Sequence, residues 1–518
     1  MRKFGHIFIT SLVPAVFVVS VHGDVPSEHG LDALIERIGI ENVPTGAGVE
    51  VAQVEAANES GDYAPDTNDS AFTGKTFTLR SGSSGVQNHA TQVGKRMYGT
   101  DGVGLAPGVS DINMYSAVGW VQSNYLRFGT GSNPSTPPGN IELFNNSWIG
   151  SFGNSGYDNE VLARGDWAID AHNVMMLNGV TNVDDHVPLM CFGFNCVSVG
   201  AADGSHTSGT VPTGYHQSGM QLPLIVAAQG TASNATGVVS AITALLVETR
   251  ETHPNTSGNF FAGFSETMKA VLLTGGNHSN SWTNNPILSG PNRGRTNQPI
   301  DAIYGVGTAN INNSHRVLTG GQFASDTSTV GLGSAPTAGW DTTTLTNGQS
   351  KYIKFSVSSL ADEVSIVLTW HQQANTGFGS YSLADLNLEL LQYNGGKPTP
   401  LTGDAGIGVF GSGNSVSESE IDTVEHLYLK NLSAGEYVVK MSRSDSAAGA
   451  RVCSLGWLFP EQDASVPGDL NGDGTVDVND LLVIIAGWGV CSGECPADLS
   501  GDGLVDVSDI LLLLSYWS

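Results

Sequence analysis

Two twelve-residue segments near the C-terminal end of the chain are almost identical, and they restrict strongly what this region can form. They read DLNGDGTVDVND at 469–480 and DLSGDGLVDVSD at 498–509. Each places oxygen-bearing side chains at loop positions 1, 3, 5, 9 and 12 and glycine at position 6, where the chain must turn sharply. A short loop of this pattern wraps a hard cation with about six or more oxygen ligands. The repeat therefore predicts two calcium loops.

The predicted calcium ligands are side-chain oxygens, except at position 7, where the main-chain carbonyl is the ligand. They are Asp469, Asn471, Asp473, Thr475, Asp477 and Asp480 in the first loop, and Asp498, Ser500, Asp502, Leu504, Asp506 and Asp509 in the second. Aspartate at position 12 departs from the glutamate that is usual in EF-hand loops. Magnesium is disfavoured, because it tolerates flexible, carboxylate-rich loops poorly.

One apolar helical run follows each loop, LLVIIAGW after the first and ILLLLSYW after the second, and none precedes it. In this arrangement residues 466–518 resemble a type I dockerin, a small α-helical calcium-binding module. The resemblance implies a docking partner, either a cohesin-like domain or a component of the cell surface.

Composition and the N-terminal segment bear on partners and location. The net charge of −28 and the absence of a basic stripe argue against a nucleic-acid partner. Residues 1–23 combine Arg2 and Lys3 with an apolar run and a small-residue end, which predicts a signal peptide and a secreted or cell-surface protein. That run is shorter than the ~20 residues of a membrane span, so no membrane span is predicted. The close cysteine pairs 191/196 and 491/495 suit an oxidising compartment, and we expect each to close a small loop.

The rest of the chain divides by its hydrophobic pattern. Residues 47–320 alternate short apolar runs with helical segments, which predicts an α/β fold with a mainly parallel sheet. A Gly/Ser/Thr-rich linker is predicted at 321–338, and residues 339–460 show the alternating runs of an antiparallel β-sandwich. Residues 24–46 form a short N-terminal segment, too short for a folded inhibitory domain.

Within the α/β segment, several motifs stand in an order that points to hydrolytic chemistry. A serine nucleophile needs a histidine to take its proton, and the histidine needs a carboxylate to orient it. The blocks HATQVG, LAPG, NNSWIG, VSVGAADG, LPLIVAAQ, TASNATGVVSA and YGVGTANI follow one another through residues 47–315. In that order they resemble the subtilisin-like (subtilase) serine peptidases.

The resemblance implies a site assembled from four places in the chain. Ser233 occupies the position of the nucleophile at a helix start, and His89 that of the base. Glu55 stands where the family has aspartate, at the end of the strand VEVAQVEA, with Asp62 and Asp66 as alternatives in the following loop. A gapless count places the oxyanion-hole asparagine at Asn182, and Asn178 is the alternative.

Two functions remain open on the sequence. The first is a secreted serine endopeptidase acting on protein or peptide substrates, with NNSWIG at 145–150 as a strand that pairs with extended peptides and Trp148 narrowing one pocket. The second is an inactive relative that serves as a surface-binding or adhesion component. Glutamate for aspartate, Gly237 for the family's proline and Gln92 for its second histidine favour the second.

Overall fold

The computed structural model describes residues 25–460, 468, 470, 476–491 and 495–517, together with the backbone of residues 8–11. These residues form two compact units, divided between Phe459 and Pro460. Most of the predicted signal peptide lies outside the described residues, as do four predicted calcium ligands, Asp469, Asn471, Asp473 and Thr475. Within the described part of the chain, no helix is both long and apolar enough to cross a membrane.

A seven-stranded sheet, parallel throughout, forms the centre of the larger unit. Its strands in chain order are β1 (Glu50–Glu55), β2 (Thr76–Leu79), β3 (Asp111–Ser116), β4 (Ile141–Asn146), β5 (Met175–Gly179), β6 (Val197–Ala201) and β7 (Ile225–Ala227). Across the sheet the order is β7-β6-β5-β4-β1-β3-β2. The predicted parallel α/β core is confirmed. The strand order reverses between β1 and β4, and in open α/β sheets the ligand site lies at the carboxyl ends of the strands at such a point.

Helices cover this sheet. They are α1 (Leu31–Ile38), α2 (Asn88–Tyr98), α3 (Ser155–His172), α4 (Ala232–Thr252), α5 (Ser265–Thr274) and α6 (Ile311–Thr319). Helix α4 is buried along almost its whole length and around its whole circumference. A helix of this kind must lie inside the core, which explains why its first half consists of small residues. The strands, covered on both faces, read as continuous apolar runs for the same reason.

Residues 338–458 form two antiparallel sheets that face one another, as the predicted sandwich requires. The long strands are β8 (Ala338–Leu345), β9 (Ser350–Val357), β10 (Ala361–Trp370), β11 (Leu386–Asn394), β12 (Val424–Leu432), β13 (Gly435–Arg443) and β14 (Arg451–Leu458). One sheet has the order β11-β13-β9, with short strands at both edges, and the other has the order β8-β14-β10-β12, with one short strand beside β12. Their inner faces share a core that contains Phe355, Tyr437 and Trp457. One edge strand, Arg295–Thr296, comes from the chain before residue 321.

Satisfied polar contacts join this sandwich to the α/β core. The side-chain amide of Asn195 donates to the Gln372 carbonyl over 3.0 Å and accepts from the Gln372 N–H over 2.8 Å. The hydroxyl of Thr369, on β10, donates to the carbonyl of Glu266 on α5 over 2.9 Å. Because buried polar groups are costly when unpaired, such reciprocal contacts fix the two parts in one arrangement.

In its described residues the smaller unit contains two helices, α7 (Val478–Ala486) and α8 (Val507–Ser515), and one pair of two-residue strands. Its core is small, which is expected of a module that relies on bound metal and on a cross-link. A disulfide joins Cys491 to Cys495, as predicted. The expected 191/196 link is wrong: both thiols are free and buried. Cys191 Sγ lies 3.3 Å from the Val187 carbonyl, and Cys196 Sγ 3.3 Å from the Gly193 carbonyl.

The contact between β14 and α5 provides a test of how the sandwich packs against the α/β core. A Cβ added at Gly456 would overlap the Thr274 hydroxyl and lie 3.2 Å from the Ala270 carbonyl oxygen to which that hydroxyl donates, so the packing of the helix on the strand must change. We expect Gly456→Ala to lower the free energy of unfolding by about 1–3 kcal/mol, measured by urea denaturation. Gly379→Ala is the matched control, because no atom lies within 4 Å of the added Cβ there. Equal stability of the two variants would contradict this account of the contact.

Candidate active site and calcium-binding module

Glu55 ends β1 with its side chain fully buried, and two hydrogen bonds fix its carboxylate. His89 Nδ1 lies 2.8 Å from Oε2, and Gln53 Nε2 donates to Oε1 over 2.7 Å. Gln53 is held in turn by Tyr98, whose hydroxyl donates to Gln53 Oε1. An ionised carboxylate only accepts, so the His89 proton belongs on Nδ1 and Nε2 is left as an acceptor. The alternative acids serve elsewhere: Asp62 accepts from the Gly85 N–H and Asp66 from the Asn68 N–H.

The position of His89 follows from the way α2 begins. Gln87 caps this helix, accepting from the His89 N–H over 3.2 Å. The same side chain donates to the Ala56 carbonyl, one residue beyond β1. One glutamine therefore ties the first turn of α2 to the carboxyl end of β1, where Glu55 lies.

Two opposing effects set the pKa of His89. Burial disfavours the imidazolium and lowers the pKa, while the charge and hydrogen bond of Glu55 raise it and nearby Arg96 lowers it. The net result is a pKa above the ordinary value. A raised pKa strengthens the imidazole as a proton acceptor. It also means that, as the pH falls, the ring becomes protonated and can no longer accept a proton at a higher pH than an ordinary histidine would.

The packing of α4 against the sheet places Ser233 on the same side as His89. On β4, Asn145 Nδ2 donates to Ser240 Oγ, and Ser147, just past the strand, donates to the Ser233 carbonyl. Helix α4 therefore runs antiparallel to β4. Helix α2 runs antiparallel to β1 in the same way, because its C-terminal Tyr98 reaches Gln53 and its N-terminal His89 reaches Glu55. Since β1 and β4 are neighbours, the first turns of both helices lie at the same sheet edge.

Gly237 is where these two helices approach one another. A Cβ at this position would lie 3.0 Å from the Val93 carbonyl oxygen and 3.3 Å from Val93 Cγ1. Val93 follows His89 by one helical turn, and Gly237 follows Ser233 by one turn. Glycine at 237, which departs from the family's proline, thus permits the close approach of α2 and α4 just below the candidate pair.

Ser233 lies in the first turn of α4 and is 2% exposed. Its hydroxyl is 3.3 Å from the hydroxyl of Thr231, the residue that caps the helix. His89 Nε2 is buried and has no hydrogen-bond partner among the described residues. The structure therefore brings Glu55 and His89 into direct contact, and it leaves Ser233 bonded to its own helix cap.

Asn182 carries the feature expected of an oxyanion-hole donor. Its Oδ1 accepts the N–H of Ala232 over 2.8 Å, which anchors it to the first turn of α4. Its Nδ2 is buried with no hydrogen-bond partner in the described part of the chain. The Nδ2 of the alternative, Asn178, donates to the Met190 carbonyl instead. The N–H groups of a first helical turn have no partner within the helix, and the Ser233 N–H is one of these groups.

The predicted substrate strand corresponds in part to a strand, Trp148–Ser151. It pairs antiparallel with Phe8–Ser11, so its edge accepts an extended segment through main-chain hydrogen bonds. Trp148 does not narrow a pocket as expected. Its ring is fully buried, packs edge-on against Trp120 and donates to Asn146.

Sequence reasoning missed two positioning residues, Gln53 and Gln87. The sequence contained a signal for Gln53, because a polar residue two positions before Glu55 on an apolar strand faces the same side of the sheet as Glu55. Gln87 had a weaker one, since glutamine is not among the preferred helix caps.

In the smaller unit, the position-12 aspartates lie at the start of the helices. Asp480 accepts the N–H groups of Leu470 and Asp477, and Asp509 accepts those of Ser500 and Asp506. Each completes a capping box with the position-9 aspartate of its loop. Asp498, at position 1, accepts N–H groups at the turn of the second loop. The described aspartates of both loops thus bond to main-chain N–H groups of their own loops.

Comparisons with known proteins support part of this assignment. Residues 467–518 match the family model of the dockerin type I domain, so the chain carries such a domain at its C-terminal end. Dockerin type I domains bind calcium and imply a cohesin-type partner. No curated protein matches the chain.

Among solved structures, the similar ones include three proteases. The prenylagaramide maturation protease PagA shares 15% identity, covering 55% of this chain and 98% of its own, with a TM-score of 0.34. A serine protease of Aeromonas sobria shares 12% identity, covering 80% of this chain and 88% of its own, with a TM-score of 0.32. The serine protease MycP1, a component of the type VII (ESX-1) secretion system, shares 12% identity, covering 59% of this chain and 94% of its own, with a TM-score of 0.30. TM-scores this low decide nothing about activity, so the function must be inferred from the site.

The opposing effects on His89 lead to a direct test. Glu55→Gln removes the group that raises the pKa of His89 and leaves burial and Arg96, which both lower it. We expect the pKa of His89 to fall from above 6.5 to below it, measured by NMR titration of the ring. His206 is the internal control, because burial lowers its pKa without any contact to Glu55. An unchanged His89 titration would rule out the pairing with Glu55.

Proposed function

We propose that this protein is a secreted, subtilisin-like serine endopeptidase that carries a calcium-binding docking module. The buried hydrogen bond between Glu55 and His89 carries the proposal, because it orients the ring through Nδ1 and leaves Nε2 without a partner in the described residues, on a helix packed against that of Ser233. What marks His89 is that its other ring nitrogen is held by a buried carboxylate. Here the free nitrogen is the one that a serine nucleophile requires.

The reaction follows the usual order of a serine-based acyl transfer. Ser233 Oγ attacks the peptide carbonyl while His89 Nε2 takes its proton, and the imidazolium is stabilised by the Glu55 carboxylate. His89 then gives the proton to the leaving amine, and water hydrolyses the acyl-enzyme by the same route. The Ser233 hydroxyl must first turn from Thr231 toward His89. Catalytic hydrogen bonds often tighten only when substrate is bound.

The oxyanion that forms on the substrate carbonyl needs donors fixed in advance. Asn182 Nδ2 is the donor proposed here, held in place by its bond to the Ala232 N–H, with the Ser233 N–H beside it. The positive end of the α4 dipole favours the same negative charge. The extended substrate would pair along the Trp148–Ser151 edge.

A second candidate function has one observation in its favour. Ser233 is bonded to Thr231, and no hydrogen bond joins it to His89 among the described residues. If this state persists with substrate, the fold serves as a surface-binding or adhesion component and the docking module supplies its partner. Labelling of Ser233 by a fluorophosphonate separates the two functions, because only an activated serine reacts.

The kinetic test uses Ser233→Ala and Asn182→Ala. We expect Ser233→Ala to abolish both fluorophosphonate labelling and casein hydrolysis. Asn182→Ala should lower kcat by about 10²–10³-fold with little change in KM, because the donor acts on the transition state. Asn178→Ala is the comparison variant, and its stability must be measured too because Asn178 is buried. Full activity of Ser233→Ala would overturn the proposal, and a kcat loss confined to Asn178→Ala would reassign the donor.

The calcium test uses one ligand of the second loop. We expect two calcium ions per wild-type chain and one in Asp502→Ala, because position 5 supplies a carboxylate to the cation. Isothermal titration calorimetry on the full chain measures both. Ser508→Ala is the control, a neighbouring position outside the ligand set. Unchanged stoichiometry in Asp502→Ala would remove this residue from the site.

A further inference from the structure

Two carboxylates and one imidazole meet where the sandwich packs on the α/β core, and none of them belongs to the candidate triad. Asp170 lies near the end of α3, Glu266 in the first turn of α5, and His371 directly after β10. One ligand atom from each lies within 4.8 Å of the others. His371 Nδ1 is 3.4 Å from Glu266 Oε1 and 3.7 Å from Asp170 Oδ1.

These distances do not describe hydrogen bonds. The His371 side chain is 2% exposed, and neither of its ring nitrogens has a hydrogen-bond partner among the described residues. An unpaired buried polar atom is costly, because it has lost its hydrogen bonds to water without gaining new ones. The nitrogen nevertheless faces two carboxylate oxygens at once, which is the position of a ligand atom rather than of a packed side chain.

The charges of Lys269 and Arg451 act on Glu266 and Asp170, but both cations make their hydrogen bonds elsewhere. Lys269 directs its ammonium at the Phe194 carbonyl and the Thr423 hydroxyl. Arg451 directs its guanidinium at Ser382. Two carboxylates and an imidazole therefore share one small space, and a cation between them would balance the charge.

We propose that Asp170, Glu266 and His371 form a zinc site. Zinc binds imidazole nitrogen and carboxylate oxygen at about 2.0–2.2 Å in a tetrahedron, whose ligand atoms are then about 3.4 Å apart. The observed separations of 3.4 and 3.7 Å match that spacing. Calcium is the wrong ion here, because it takes six to eight oxygen ligands and imidazole suits transition metals.

The backbone around the site is already rigid. Trp370, before His371, donates to the Ala384 carbonyl, and Gln372, after it, is paired with Asn195. The Asp170 side chain is 34% exposed, which gives the ion an entry path and leaves a fourth position for water. A zinc ion here would link two helices of the core to the sandwich, a role independent of whether Ser233 is catalytic.

The test is zinc titration of the full chain by calorimetry, with calcium in excess to fill the docking module. We expect one zinc per wild-type chain and a rise in the thermal unfolding temperature. His371→Asn should weaken zinc binding at least about 100-fold, since it removes a direct ligand. Asp170→Asn should do the same and, being partly exposed, keeps the fold measurable if His371→Asn does not fold.

Asp362→Asn is the matched control, because it removes one carboxylate from an exposed position on the same strand, β10. It should bind zinc like the wild type. Absence of zinc binding by the folded wild-type chain would overturn the proposal. So would zinc binding that survives in both His371→Asn and Asp170→Asn, since the ion would then lie elsewhere, for instance at the buried cysteines.

Discussion

The buried carboxylate of Glu55 is the group on which the candidate site depends. It accepts from Gln53 on its own strand and from His89 on the helix beside it, so one side chain links the sheet to the histidine. A charge with no exposure to solvent is tolerated only when it is fully hydrogen-bonded or paired. Gln53, Tyr98 and Gln87 supply the surrounding bonds, and they explain why strand β1 and helix α2 have a fixed relation.

Glutamate in place of the family's aspartate does not prevent this contact. The strand ends at Glu55 itself, and the side chain reaches His89 Nδ1 at ordinary hydrogen-bond length. Glycine at 237 likewise has a packing reason, since a side chain there would press on α2. Two of the departures that favour an inactive relative are thus compatible with an intact site. The hydrogen bond between Ser233 and Thr231 is the observation that favours an inactive binding protein over a peptidase.

The sequence predicted the architecture well where its pattern is periodic. Apolar runs alternating with helices indicated the parallel sheet, and period-two runs indicated the sandwich, because both patterns report which faces are buried. Local composition was a poorer guide to contacts. Cys191 and Cys196 are close in sequence, yet each thiol points to a main-chain carbonyl. Trp148 lies in a predicted substrate strand, yet its ring belongs to the core.

By itself the sequence determined the repeated calcium loops, the order of the motifs and the residue types that the chemistry needs, because these are properties of short segments. Only the tertiary structure decided which groups meet. It paired Glu55 rather than Asp62 or Asp66 with His89, left Asn182 rather than Asn178 with a free amide, and gathered Asp170, Glu266 and His371. Such meetings join residues tens to hundreds of positions apart, and they depend on strand order and helix packing, which no local pattern specifies.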